Sequence, residues 1–200
     1  GAVAGSIGSY GGGRRDPAAA AAGRGRGREE LSAVHAVKAG SDESTADEAR
    51  CALLSDPARM HSLARSGLTA VADAQMEALA ERVRRWVGAP VALVSLVQPD
   101  RQVFPGMAGL PEPWASTRST PLTHSFCQHV VTSAEPLIVL DALEHPLLRD
   151  NRAVHDLGVV AYAGMPLTDE TGNVLGSLCA LDIRPRDRKS TRLNSSHRLL

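Results

Sequence analysis

Few residues in this chain have side chains suited to chemistry. Cys127 and His129 share the segment HSFCQHVV (His124–Val131), with Phe126 beside them. Ser177 and Cys179 lie in the run GSLCALD, Tyr162 in AYAGMPL, and Asp141 and His145 follow the run LIVL. A Cys and a His two residues apart raise the question of a metal or thiol site. On a helix, positions i and i+2 face different sides, so the two do not form a ligand pair there. No further His or Cys stands at zinc spacing. The alternative is a buried Cys packing as a small hydrophobe, with a hydrogen-bonded His at a pocket wall. Asp141 and His145 raise acid–base chemistry, but no nucleophile has an identifiable partner nearby, and an Asp at a strand end commonly caps the next turn. Leu175, Ser177, Cys179 and Leu181 share one face of a strand. Their small members either leave room for a ligand or pack tightly against a helix.

The elements that must position these residues are readable as a series. Asp56 and Pro57 start a helix that Gly67 ends. A second helix is predicted from Ala72 to Val87, with Ala72, Met76, Leu79, Val83 and Trp86 on one face. Val91–Val97 is apolar on both faces and reads as a strand, followed by the turn Gln98–Asp100 and a return strand from Arg101 to Ala108. Gly109–Pro121 reads as loop. A short helix follows over His124–Thr132, then a strand over Leu137–Asp141. Asp150 or a residue beside it is expected to cap a helix over Asn151–Leu157. The hairpin Val159–Leu167 and Val174–Asp182 closes the series. Its alternation predicts a core face of Ala161, Ala163 and Met165, with Tyr162 turned the other way toward a pocket, since a buried hydroxyl needs a partner. Hairpins demand antiparallel pairing, so the fold class is α+β. It is a central antiparallel sheet of five or six strands, with a helix pair on one face and a loop-covered pocket on the other.

Composition narrows the function. The chain has 200 residues with 22 basic and 22 acidic side chains, so its net charge is +0. Neither a basic patch nor, at 3% aromatic residues, a stacking platform for bases is present, which argues against nucleic acid as a partner. No run is apolar over the roughly 18 residues needed to cross a membrane. Three widely spaced cysteines, Cys51, Cys127 and Cys179, suit a reducing cytoplasm better than a secreted disulfide scaffold. Residues 1–50 read as a low-complexity tail or linker rich in Gly, Ala and Arg; Arg24–Arg28 alternates Gly and Arg, open to an RGG-like reading or to a plain linker.

Four segments then carry a family resemblance: APVALVSLVQPDRQVF (Ala89–Phe104), PLTHSFCQHVV (Pro121–Val131), HPLLRDNRAVHDLGVVAYAGMPL (His145–Leu167) and GNVLGSLCALDIRPR (Gly172–Arg186). Together they resemble a GAF domain over residues 56–186, of the bacterial signalling type found with histidine kinases, serine phosphatases and diguanylate cyclases. The resemblance implies a sensor module without catalytic residues of its own. Such a module would bind a small molecule, homodimerise through terminal helices as many of the family do, and control an output domain absent from this chain. Which cofactor or ligand it would take is unknown. The pocket candidates are Phe126, Cys127, His129, Asp141, Tyr162, Ser177 and Cys179. Alternatives are a non-sensing dimerisation module or a small thiol/sulfoxide redox enzyme. For the latter, sulfoxide reductases of this fold use paired cysteines around the pocket. Cys127 lies in a comparable segment, but Asn151–Val160 holds no cysteine. Bilin attachment through a Cys-His dyad is likewise not expected where the chain reads Val154-His155-Asp156. Residues 187–200 break the pattern, lacking the closing helix that would cover Leu79 and Trp86. They read as a non-native tail, and the chain as a fragment.

Overall fold

A computed structural model describes residues 43–187, and from Ser44 onward these belong to one compact unit. The readings of residues 1–42 and 188–200 lie outside the described residues. Helix α1 (Glu43–Leu54) begins inside the stretch read as tail, ahead of the start expected near Asp56. Its last residue, Leu54, is buried in the main core.

Helix α2 (Pro57–Arg65) starts as its sequence dictates: the Asp56 carboxylate accepts from the Arg59 amide at 2.9 Å, with Pro57 in the first turn. Arg59 is buried by a different logic. Its guanidinium donates to the carbonyls of Leu54 at 2.7 Å, Val174 at 2.9 Å and Val97, tying the α1–α2 junction to the strand ends. Helix α3 (Ala74–Val87) begins two residues later than expected, because Asp73 accepts from the amides of Gln75 and Met76 and so sets the start. Gly88, at φ 64, ends it.

Six strands follow: β1 (Val91–Val97), β2 (Arg101–Ala108), β3 (Ser119–Pro121), β4 (Leu137–Val139), β5 (Ala161–Thr168) and β6 (Val174–Asp182). They form one antiparallel sheet in the order β3-β2-β1-β6-β5-β4. The two hairpins, β1–β2 and β5–β6, are local. The β1–β6 pairing that joins them sets Leu93 opposite Cys179 and Ser95 opposite Ser177. The stretch read as loop contains helix α4 (Trp114–Thr117) and strand β3, which adds to β2 despite Pro121 because edge strands tolerate proline. Helix α5 (Cys127–Ser133) follows a 3₁₀ turn over Leu122–His124. Helix α6 (Arg152–Asp156) is capped by Asn151, next to Asp150, its side chain accepting from the Ala153 amide at 2.9 Å.

Helix α5 packs across β5, β6 and β1, while α3 packs on β1, β2 and β6. The α3 face departs from its predicted stripe. Ala80 is its buried residue, and Trp86 is 74% exposed. The reason lies in the sheet: α3 crosses β2 so closely that a Cβ on Gly106 would overlap the Met76 backbone. A small side chain such as Ala80 suits that approach; an indole does not. The main core gathers Leu93, Val97, Phe104, Phe126, Val130 and Tyr162. A smaller cluster joins Leu63 of α2 to Leu96, Val103 and Leu175.

Candidate functional site

Tyr162 shows how the hairpin builds the site. Its ring lies over Gly164, two residues on along the same face, where a Cβ would overlap the hydroxyl. With that space open, the ring meets Phe126 edge-on, centroids 5.4 Å apart. The hydroxyl reaches between Cys127 and Ser177, donating to the Cys127 sulfur at 3.3 Å and lying 3.1 Å from Ser177 Oγ. Cys127 opens α5 and Cys179 sits mid-β6, with their sulfurs 3.7 Å apart. Hydrogen bonding from the Cys179 thiol, aided by the hydroxyls of Tyr162, Ser95 and Ser177, brings the Cys127 thiol down to about 7 against the cost of burial. The same coupling and burial push Cys179 up, and burial beside Cys127 pushes Tyr162 up.

These groups floor a cavity of about 50 Å³ between the sheet, α5 and α6. Its walls are mainly apolar, including Leu93, Phe104, Leu110 and Leu157. Gln102, Thr120 and His124 add polar edges. Gln102 is fully engaged: its carbonyl accepts from Ser125 Oγ at 2.7 Å and Ser95 Oγ at 3.0 Å, and its amide donates to Thr120 Oγ1 at 2.8 Å. The buried side-chain polar atoms among the described residues all have partners.

Of the seven residues expected at a pocket, Phe126, Cys127, Tyr162 and Cys179 line this cavity. Ser177 lies behind them as the partner of Tyr162. His129 and Asp141 are not among its lining residues. His129 is half-buried; desolvation, then the nearby Arg50 and His145, holds its pKa below the ordinary value. Asp141 accepts from the Leu143 amide at 3.0 Å, the turn-capping role weighed for it. Asp141 and His145 do not pair. The structure pairs His124 with Asp156 instead, Nε2 to Oδ2 at 2.9 Å, with Thr123 Oγ1 3.0 Å from Nδ1 and Trp114 against the ring. The bond from His124 holds the Asp156 carboxylate below its usual pKa, helped by Arg152. Gln102, Thr120 and His124 were missed because their partners lie on distant segments. The one local signal was the polar Gln102 inside an otherwise apolar return strand.

The GAF domain model matches residues 72–197. The chain belongs to the GAF family. It is 34% identical over 116 residues to a cyclic di-GMP phosphodiesterase of Pseudomonas aeruginosa, a match covering 58% of this chain and 19% of that relative. The chain thus spans about a fifth of that protein. Among solved structures it is similar to the GAF domain of an Acinetobacter phosphoenolpyruvate-protein phosphotransferase, at 18% identity and a TM-score of 0.43, covering 56% of this chain and 66% of that one. It is also similar to a free methionine-R-sulfoxide reductase from Neisseria meningitidis, at 17% identity and a TM-score of 0.46, covering 61% and 70% of the two chains. Among the described residues no helix is long and apolar enough to cross a membrane, and no cluster of three metal-ligating side chains occurs.

Proposed function

We propose that this GAF module is a regulatory sensor. A small molecule enters the cavity beneath α5 and α6, and its binding biases an output domain carried elsewhere in the full-length protein. The observation that supports this reading is the cavity itself: an apolar enclosure into which Thr120, His124, Cys127 and Tyr162 converge. At about 50 Å³ the space suits a ligand of a few heavy atoms. It is far below the roughly 300–1,000 Å³ of sites for drug-sized ligands, so a nucleotide or a tetrapyrrole would have to displace the 109–124 connection.

The likeness to a cyclic di-GMP phosphodiesterase supports an output in cyclic dinucleotide signalling. In this reading the module is regulatory rather than catalytic, and the His124–Asp156 pair, both of whose ring nitrogens are engaged, serves to hold the cavity wall. The cytoplasm is the compartment that suits its free cysteines. Its macromolecular partner is a second copy of itself.

A thermal-shift screen of small metabolites tests the reading. A ligand at 100-fold its Kd adds about 2.7 kcal/mol of stability and a clear rise in Tm. Ala153→Leu, which fills the cavity wall, abolishes that rise. A second reading, a dimerisation module that senses nothing, is favoured by the apolar groove of about 210 Å³ beside Ile138 and Met165. A folded dimer with no ligand-induced shift across the panel would select it.

A further inference from the structure

The sulfur pair at the cavity floor is not used by the sensing reading. Cys127 and Cys179 are 52 residues apart in sequence, on α5 and β6, yet their sulfurs lie 3.7 Å apart, both buried and both lining the cavity. The adjacent hydroxyls of Tyr162 and Ser177 point at the same spot. We infer that Cys127 and Cys179 form a reversible disulfide when a small hydroperoxide enters the cavity, making the domain floor a thiol-oxidation site.

The geometry carries each step. A cavity of about 50 Å³ admits hydrogen peroxide, which needs little more room than water. The Cys127 thiolate attacks one peroxide oxygen; the O–O bond breaks, an S–O bond forms, and hydroxide leaves and takes up a proton to become water. The Cys179 sulfur then attacks the sulfenic sulfur of Cys127, the S–O bond breaks, and the leaving hydroxide takes the Cys179 thiol proton and departs as a second water. Each cysteine sulfur loses one electron, and the peroxide gains the two. A dithiol reverses the change by exchange. Cys127 is suited to the first attack because the groups around it favour its thiolate. To bond, the sulfurs must close from 3.7 Å to about 2.05 Å, which rotates both side chains and withdraws Cys127 from the Tyr162 hydroxyl. Oxidation would therefore retie α5 to β6 and reshape the cavity. This inference needs no bound metabolite and survives if the domain binds none.

Cys51 is exposed and would cross-link between chains, so the test uses the full chain carrying Cys51→Ser. The folded protein is treated with hydrogen peroxide, freed of it, unfolded in the presence of an alkylating agent, digested and analysed by mass spectrometry. The expected result is a peptide linking Cys127 to Cys179, a loss of two alkylatable thiols after unfolding, and full recovery of both with dithiothreitol. In Cys179→Ala, a dione probe for sulfenic acid labels Cys127; in Cys127→Ala the label on Cys179 falls at least tenfold. The inference is overturned if peroxide yields no linked peptide while circular dichroism shows the chain folded. It is equally overturned if the link forms only after denaturation, or if oxidation runs to sulfinic acid on one cysteine with the other still free.

Discussion

The face of the sheet that meets α5 and the face that meets α3 share strands β5 and β6, yet they bury opposite kinds of residue. On the α5 side lie Tyr162, Ser177 and Cys179, all carrying a polar or reactive atom, and Tyr162 is only 2% exposed. On the other side lie Ala161, Ala163 and Met165, wholly apolar, and Met165 is 45% exposed with Ile138 beside it at 62%. By hydrophobicity alone Ala161, Ala163 and Met165 form the core face; the structure buries Ala161, half-buries Ala163 and leaves Met165 exposed. The tight core is the polar-handled one, because α5, α6 and the 109–124 connection all close over it. Beyond the end of α3 the apolar face has only a shallow groove, edged by Val87 and Ala89. Burial follows from what crosses a strand, not from the strand's own alternation.

Stability measurements can break this contrast. Tyr162→Ala should cost about 3–5 kcal/mol in urea unfolding, whereas Met165→Ala should cost under about 1 kcal/mol. Equal losses would mean the two faces are alike. Gln102→Leu should cost about 1–3 kcal/mol by leaving Thr120 Oγ1 without its partner and taking one bond each from the buried hydroxyls of Ser95 and Ser125. Gly164→Ala should cost a similar 1–3 kcal/mol, roughly, because the new methyl displaces the Tyr162 hydroxyl. In Tyr162→Phe that penalty should shrink, a coupling that a double-mutant cycle reads directly.

Acidity sharpens the contrast with a smaller effect. Burial lowers the pKa of His129 in the folded chain, so below about pH 6.5 the unfolded chain binds more protons. The contribution of neutral His129 is present above that pH and is lost as pH falls toward its folded value. His129→Gln should flatten this part of the Tm-against-pH curve. The smallest change is expected on the open apolar face. Ile138→Ser should alter monomer stability by no more than about 0.5 kcal/mol while weakening self-association in analytical ultracentrifugation, if a second copy covers the groove.

Much of the fold was legible because its signals are local. Asp56-Pro57, the Gly88 stop and the β1–β2 and β5–β6 hairpins each depend on a few neighbouring residues. Helix α1 hid behind a low-complexity start, and β3 behind the prolines of the 109–121 stretch. Phe126, Cys127, Tyr162 and Cys179 were legible as unusual residues in apolar runs. The His124–Asp156 pair was not, since 32 residues separate its members and a different His–Asp pair lay closer in sequence.

The sequence by itself determined the α+β class, the hairpins, the helix caps and the family, because periodicity, capping and turn chemistry act over a few residues. Only the tertiary structure decided which face of the sheet is sealed, that Gln102 anchors three hydroxyls, and that Cys127 meets Cys179. Those depend on β1 inserting beside β6 and on α5 crossing both. Such contacts gain free energy only after long loops have closed, so no local pattern encodes them.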